Sequence, residues 1–165
     1  MIKESYRDNP LLKRVGVQVN YTKEQLQEYI KCKNDPVYFA KYMKIISLDK
    51  GIIPFDMYDF QEDMIRTFHD NRFVIVKCPR QVGKTTTSVA YLLWTILFQE
   101  SQTIAILANK GQTARDILGK LQLAYENLPM WMQQGVVEWN KGRIELENRS
   151  VIIASSTSSS AARSG

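Results

Sequence analysis

The sequence predicts an α/β fold, in which a helical N-terminal prelude precedes a three-layer sandwich with a mainly parallel sheet. Two observations predict this class. Residues 21–70 show the spacing of amphipathic helices, and from residue 71 short β-branched runs alternate with segments of helical length and spacing. Such alternation is typical of parallel sheets with crossover helices on both faces. A chain of 165 residues with 44% hydrophobic content can hold one core without a disulfide or metal staple.

Composition narrows the range of functions. The net charge of +5 favours an anionic partner such as nucleic acid, although a solvated basic surface explains it more simply. Cys32 and Cys78 lie far apart and no secretory leader precedes them, which predicts a reducing, intracellular compartment. The longest apolar run, Val89–Phe98, is much shorter than the ~20 residues of a membrane span, so we expect no membrane partner. A single histidine, His69, excludes a histidine-rich metal site.

The N-terminal residues predict an arm followed by a helix. Residues 1–20 are polar and basic without steady periodicity, so we expect a basic flexible arm that orders only against a partner. Thr22 and Gln25 then have the spacing of a capping box, which begins a helix from about Lys23 to Lys33.

Two more helices complete the prelude. Asp35 can accept the first free amides of a second helix, in which Pro36 suits the first position. Lys50–Pro54 contains the glycine and proline of a loop. Asp59 then predicts the cap of a third helix, from about Phe60 to His69, with one apolar stripe.

The part from residue 71 onward predicts strands separated by helices. The predicted strands are Phe73–Val76, Thr103–Ala108, Val136–Trp139, Arg143–Leu146 and Val151–Ala154, and the predicted helices are Thr85–Gln99 and Gln112–Glu126. The run at Phe73 is typical of a strand buried on both faces, and Asn140-Lys141-Gly142 predicts a hairpin turn. We expect the sheet to rest on the strands at Phe73 and Thr103 and to leave an apolar edge that lowers solubility.

A phosphate-binding motif lies between the first predicted strand and its helix. Residues Cys78–Thr86 match GxxxxGK[ST] except at the first glycine, where Cys78 stands. In this motif the loop amides and the start of the helix hold the β-phosphate, and Gly83 allows close approach. Lys84 reaches the β- and γ-phosphates, while the Thr85 hydroxyl is a ligand for Mg²⁺. The interpretation requires a central strand over Phe73–Lys77 with the loop at its C-terminal end.

Other residues near the motif have two interpretations each. Arg80, followed by Gln81 and Val82 in the loop, can neutralise charge that develops on the γ-phosphate, or can simply face solvent. Phe60 and Gln61 precede the first predicted strand, and the Gln61 amide can bond the N6 and N7 edge of adenine. A plain glutamine at the start of a helix is the commoner case. Thr86 has a secondary role at the phosphates.

Four segments resemble the N-terminal part of the ATPase domain in the large terminase subunit of tailed bacteriophages, which packages DNA. The matching segments are Asp59–Met64, Arg80–Thr85, Ile106–Gly111 and Val137–Gly142. They are similar to the adenine motif, the deviant Walker A loop, the segment after the next strand, and the β-hairpin of that family. The family also tends to lack the first glycine and to carry an arginine at the position of Arg80.

The resemblance implies a P-loop NTPase-like fold and a set of ligands. It implies ATP and Mg²⁺ as cofactors, with Arg80 and Lys84 catalytic and Arg163 near the γ-phosphate. Beyond the arm at residues 1–20, it implies an incomplete ATPase domain over residues 21–165, with a helical prelude at residues 21–70 and the α/β part at residues 71–165. The chain stops before the Walker B strand of the family, so we expect the 165 residues alone to be inactive.

The resemblance also implies partners and a location. The partners are double-stranded DNA, the portal protein, the small terminase subunit and further copies of the chain in a ring, and the location is the host cytoplasm rather than the mature virion. Two alternatives stay open. One is a helicase-like P-loop ATPase that acts on nucleic acid, and the other is a non-catalytic module that binds DNA or the portal protein.

Overall fold

The computed structural model describes residues 4–47 and 49–157. Five helices lie among these residues: α1 (Lys23–Asn34), α2 (Pro36–Ala40), α3 (Asp59–Asp70), α4 (Lys84–Phe98) and α5 (Gly111–Glu126). Eight strands accompany them: β1 (Ser5–Tyr6), β2 (Asn9–Lys13), β3 (Lys44–Ser47), β4 (Gly51–Pro54), β5 (Thr103–Ala108), β6 (Val136–Trp139), β7 (Arg143–Leu146) and β8 (Val151–Ser156). The chain is a mixed α/β protein, as predicted.

The largest sheet is mixed rather than mainly parallel. Its strand order is β5-β8-β7-β6, and only the β5–β8 pair is parallel. The prediction of a mainly parallel sheet is therefore wrong for the described residues. The reason is the predicted hairpin β6–β7, which joins the sheet beside β8 and contributes two antiparallel pairs.

The predicted strand at Phe73–Val76 is absent, and this is the main correction to the sequence analysis. The segment belongs to no sheet, with the side chains of Phe73 and Ile75 84% and 97% exposed. A β-branched run forms a strand only when a neighbouring strand satisfies its backbone amides and carbonyls. No described strand lies beside it, so this requirement of the nucleotide-binding interpretation is not met, and the interpretation keeps only the support of the loop and the start of α4.

Helix α5 covers one face of the four-stranded sheet. It packs on β5 and β8, and α4 packs against α5. Ile106 of β5 is buried under the helix, whereas Ala105 and Leu107 on the opposite face of the strand are exposed. Two layers and an adjoining helix are thus present over β5 instead of three complete layers, and the expected apolar edge that lowers solubility stays a prediction.

Side-chain caps fix the starts of the first two helices as predicted. The Thr22 hydroxyl accepts the amide of Gln25, and the Gln25 side chain accepts the amide of Thr22. Asp35 accepts the amide of Val37, with Pro36 at the first position of α2. The third cap differs from the prediction, since Asp59 lies inside α3 and Tyr58 is the N-cap.

The first residues pack on the rest of the chain rather than forming a separate arm. Strands β1 and β2 pair as a hairpin, and the Leu12 side chain is only 1% exposed. Lys13 donates to the carbonyl of Gln133, and its amine lies 3.6 Å from Glu147. The expectation that this segment orders only against a partner is wrong for residues 4–16, because the buried leucine and the paired lysine hold it to the chain itself.

The predicted loop at Lys50–Pro54 is partly a hairpin. Strand β3 pairs antiparallel with β4, and Gly51 adopts a φ of 71°, which glycine alone reaches without strain. Ile46 and Ile52 face each other on the exposed side of this hairpin. No helix among the described residues is long and apolar enough to cross a membrane.

Candidate nucleotide-binding site

The predicted phosphate loop ends at the first residue of a buried helix. Gly83 is the N-cap of α4 with φ 82°, a left-handed conformation that favours glycine. No side chain caps the helix there. The first amides of α4 therefore have no intrahelical acceptor, and together with the helix dipole they attract an anion. Lys84, Thr85 and Thr86, the predicted ligands of the phosphates and Mg²⁺, occupy this first turn.

The Lys84 side chain folds back along the loop. Its amine donates to the carbonyl of Pro79 at 3.3 Å, and the residue is half-buried. A neutral carbonyl is a weak partner for an ammonium group compared with a phosphate oxygen. The lysine is thus held at the mouth of the loop in a contact that an anion can replace.

Gln61 joins the start of α3 to the phosphate loop. The side chain is 3% exposed, its carbonyl accepts the Tyr58 amide at 3.0 Å, and its amide lies 3.5 Å from the carbonyl of Val82. A Cβ placed on Gly83 would lie 2.5 Å from the Gln61 amide nitrogen. Gly83 therefore serves two needs at once, the left-handed turn and the space for Gln61.

An exposed aromatic pair stands beside Gln61. The rings of Tyr58 and Phe60 are stacked, with centroids 5.8 Å apart and an interplanar angle of 9°, and the Tyr58 side chain is 70% exposed. Phe60 was among the predicted site residues, whereas Tyr58 was not. The signal was available, since two aromatic residues spaced i, i+2 flank the helix start directly before Gln61.

The loop segment is strongly positive. Residues 71–99 contain four cationic side chains and no acidic one: Arg72, Lys77, Arg80 and Lys84. Arg80 is exposed, and no described carboxylate forms an ion pair with it. Gln81 is also exposed and has a φ of 65°, which is uncommon for a residue other than glycine. The loop combines a strained backbone with unneutralised charge, as anion-binding loops do.

Not every predicted site residue can be placed. Arg163 lies outside the described residues. Among residues 4–47 and 49–157, no three His, Cys, Asp or Glu side chains are grouped so as to hold a metal ion. The assignment of Thr85 to Mg²⁺ stays a prediction.

These features define a class of protein: a mixed α/β protein with a Gly-Lys-Thr turn at the start of a buried helix, beside a glutamine from the preceding helix. A comparison with protein families identifies the class further. Residues 75–165 match the family described as terminase large subunit, T4likevirus-type, N-terminal. This match covers more than half of the chain, and the chain belongs to the terminase large subunit family. Membership of this family implies a role in DNA packaging.

Proposed function

We propose that this chain is the nucleotide-binding part of a DNA-packaging ATPase, in which ATP hydrolysis drives DNA translocation. The observation that carries the proposal is the uncapped start of α4, where Lys84 and free helix amides meet the cationic loop. Membership of the terminase family supports packaging over the helicase-like alternative.

The residues present fit a nucleoside triphosphate. The amides of the first turn and the Lys84 ammonium group are suited to the β- and γ-phosphates. The Thr85 hydroxyl, with Thr86 beside it, is the oxygen donor that this loop offers to Mg²⁺, which supplies charge neutralisation when bound. Arg163 is proposed near the γ-phosphate on the family resemblance alone.

Gln61 and the aromatic pair fit the base. An adenine ring can stack on Phe60 or Tyr58, whose exposed faces lie together beside Gln61. The Gln61 amide is engaged at 3.5 Å with Val82, a contact long enough to give way to a better acceptor. Base recognition by Gln61 would then be coupled directly to the loop that holds the phosphates.

Arg80 is proposed to act on the reaction rather than on binding. Its exposed guanidinium in the loop can stabilise charge that grows on the transferred phosphoryl group. Arg80→Ala should then lower the turnover of an active packaging enzyme more than its affinity for ATP. Equal losses in turnover and affinity would contradict this role.

The proposed partners are duplex DNA, the portal protein, the small terminase subunit and other copies of the chain in a ring, in the host cytoplasm. The net charge of +5 favours binding to the anionic backbone of duplex DNA. That the 165 residues alone hydrolyse negligible ATP stays a prediction, which an ATPase assay on this chain tests.

Calorimetric titration with Mg²⁺-ATP tests the proposal. The unaltered chain should bind Mg²⁺-ATP, and Lys84→Ala should abolish measurable binding. The free energy of unfolding should change by less than about 0.5 kcal/mol, because the side chain that is removed is partly exposed. Lys33→Ala removes an exposed lysine on α1, away from the loop; it is the control and should bind ATP like the unaltered chain.

Two results would count against the proposal. If the affinity for Mg²⁺-ATP does not depend on Lys84, nucleotide is not held at the loop. That result favours the alternative of a non-catalytic module that binds DNA or the portal protein. If Lys84→Ala unfolds the chain, the lysine has a structural role instead.

A further inference from the structure

A cavity in the described part of the chain is lined by neither Gln61 nor residues 78–84 of the phosphate loop, and it has no assigned role. Its volume is about 810 Å³, and its walls come from β3, the first half of α4, one face of α5 and the tip of the β6–β7 hairpin. Thr86 is the one predicted site residue that lines it. The cavity therefore adjoins the first turn of α4, and its other lining residues lie outside the predicted phosphate site.

The floor of the cavity is apolar. Ile45 and Ile46 of β3 contribute on one side and Val89 and Leu123 on the other. Ile46 is well exposed, and its cross-strand neighbour Ile52 is exposed beside it. Exposed apolar side chains that continue into a cavity are typical of a surface that docks another molecule.

The rim of the cavity is positive. Four exposed cations from three different elements surround it: Lys44, Arg115, Lys120 and Lys141. None of them forms an ion pair with a described carboxylate. The one acidic residue of the lining, Asp116, accepts a hydrogen bond from the Gln112 amide at 2.7 Å. The rim thus has an excess of three positive charges.

Gly119 forms a notch in the middle of α5, on the cavity wall. A glycine inside a helix lowers helix stability compared with alanine. A Cβ added to Gly119 would meet no atom within 4 Å, so neither close packing nor a positive φ requires glycine there. The missing side chain leaves room for another backbone to approach α5 closely.

We propose that this groove binds an acidic amphipathic helix of a partner protein. The apolar floor takes the apolar face of the helix, the notch at Gly119 allows close approach of its backbone, and the four cations bind its acidic flanks. A nucleic acid backbone would use the cations and leave the isoleucine and leucine floor in water, so the floor favours a protein helix.

The test uses a defined probe and the 165-residue chain without nucleotide. The probe is a fluorescein-labelled 18-residue model helix with leucine on one face and glutamate on the other. Its matched control carries lysine in place of every glutamate. Fluorescence anisotropy should show binding of the acidic peptide at least tenfold tighter than that of the basic peptide.

Substitutions locate the binding. Lys120→Glu with Lys141→Glu should weaken binding of the acidic peptide at least tenfold, whereas Lys23→Glu with Lys50→Glu, two exposed lysines outside the cavity, should change it less than threefold. Gly119→Leu fills the notch and should weaken binding at least tenfold. Gly119→Ala should raise the unfolding midpoint, which confirms that glycine is not needed for the fold.

Several results would overturn the proposal. One is equal binding of the acidic and basic peptides. A second is loss of peptide binding in the Lys23→Glu, Lys50→Glu variant but not in the Lys120→Glu, Lys141→Glu variant. A third is that the chain binds a 20-base-pair DNA duplex through Lys120 and Lys141 but does not bind the acidic peptide. Self-association of the chain that Gly119→Leu abolishes would assign the groove to a second copy instead. None of these depends on ATP affinity, so they are distinguishable from failure of the proposed function.

Discussion

Gly83→Ala tests whether Gln61 and the phosphate loop form one unit. Two costs add up at this position. An alanine at φ 82° is strained by about 1–2 kcal/mol. Its Cβ also displaces the Gln61 amide, 2.5 Å away, and breaking the bond to the Tyr58 amide costs about 1 kcal/mol more. The expected loss in the free energy of unfolding is about 2–3 kcal/mol.

Gly51→Ala is the matched control for the strain. Gly51 has a φ of 71°, and a Cβ there meets nothing within 4 Å, so only the backbone cost applies. Urea unfolding should place Gly83→Ala about 1 kcal/mol below Gly51→Ala. In a Gln61→Ala background the difference should vanish. Equal costs for both glycine substitutions, or a Gly83→Ala cost unchanged without Gln61, would refute the contact.

Three further predictions concern other parts of the chain. Leu12→Ala should cost about 3 kcal/mol in urea unfolding, because the side chain is buried, whereas Leu11→Ala, at 50% exposure, should cost below about 0.5 kcal/mol; equal small costs would show that the N-terminal hairpin is not docked. Hydrogen bonds from Lys31, Tyr38 and Tyr42 lower the pKa of Glu28 from 4.5 to about 2, so its ionised form stabilises the fold above pH 4.5 and that contribution is lost as pH falls through 2. Glu28→Gln should therefore unfold at lower urea than the unaltered chain at pH 7 and at equal urea near pH 2, and a gap that persists at pH 2 would contradict this. Burial raises the pKa of the Cys32 thiol to about 12, so a thiol reagent at pH 8 should label the partly exposed Cys78 and leave Cys32 unlabelled until the chain unfolds; prompt labelling of Cys32 would contradict its burial.

Local signals in the sequence predicted the local elements well. Capping residues fixed the starts of α1 and α2, and helical spacing located α3, α4 and α5 to within two residues. The turn residues Asn140-Lys141-Gly142 correctly predicted the β6–β7 hairpin. The strand β5 has the predicted bounds, Thr103–Ala108. The helix caps and the hairpin turn depend on hydrogen bonds close in sequence, whereas β5 pairs with β8, which lies far along the chain.

Several other features that depend on distant partners were not predictable from the sequence. Phe73–Val76 has the composition of a buried strand, but strand formation requires neighbours that composition does not specify. Lys13 is bound by Gln133, 120 positions away, and no periodicity in the N-terminal segment shows this contact. The candidate site shows the same contrast. The motif in the sequence predicted the loop and Lys84, whereas the contact between the Gln61 side-chain amide and the Val82 carbonyl was visible only in the folded chain.

Hydrogen exchange at the start of α4 tests the central claim most directly. The amides of Lys84, Thr85 and Thr86 have no helical acceptor, and exchange with solvent should be rapid in the free chain. On addition of Mg²⁺-ATP, we expect slower exchange of these three amides in the unaltered chain and no slowing in Lys84→Ala. Slowing confined to other segments, or equal slowing in both chains, would contradict the claim that this loop holds the phosphates.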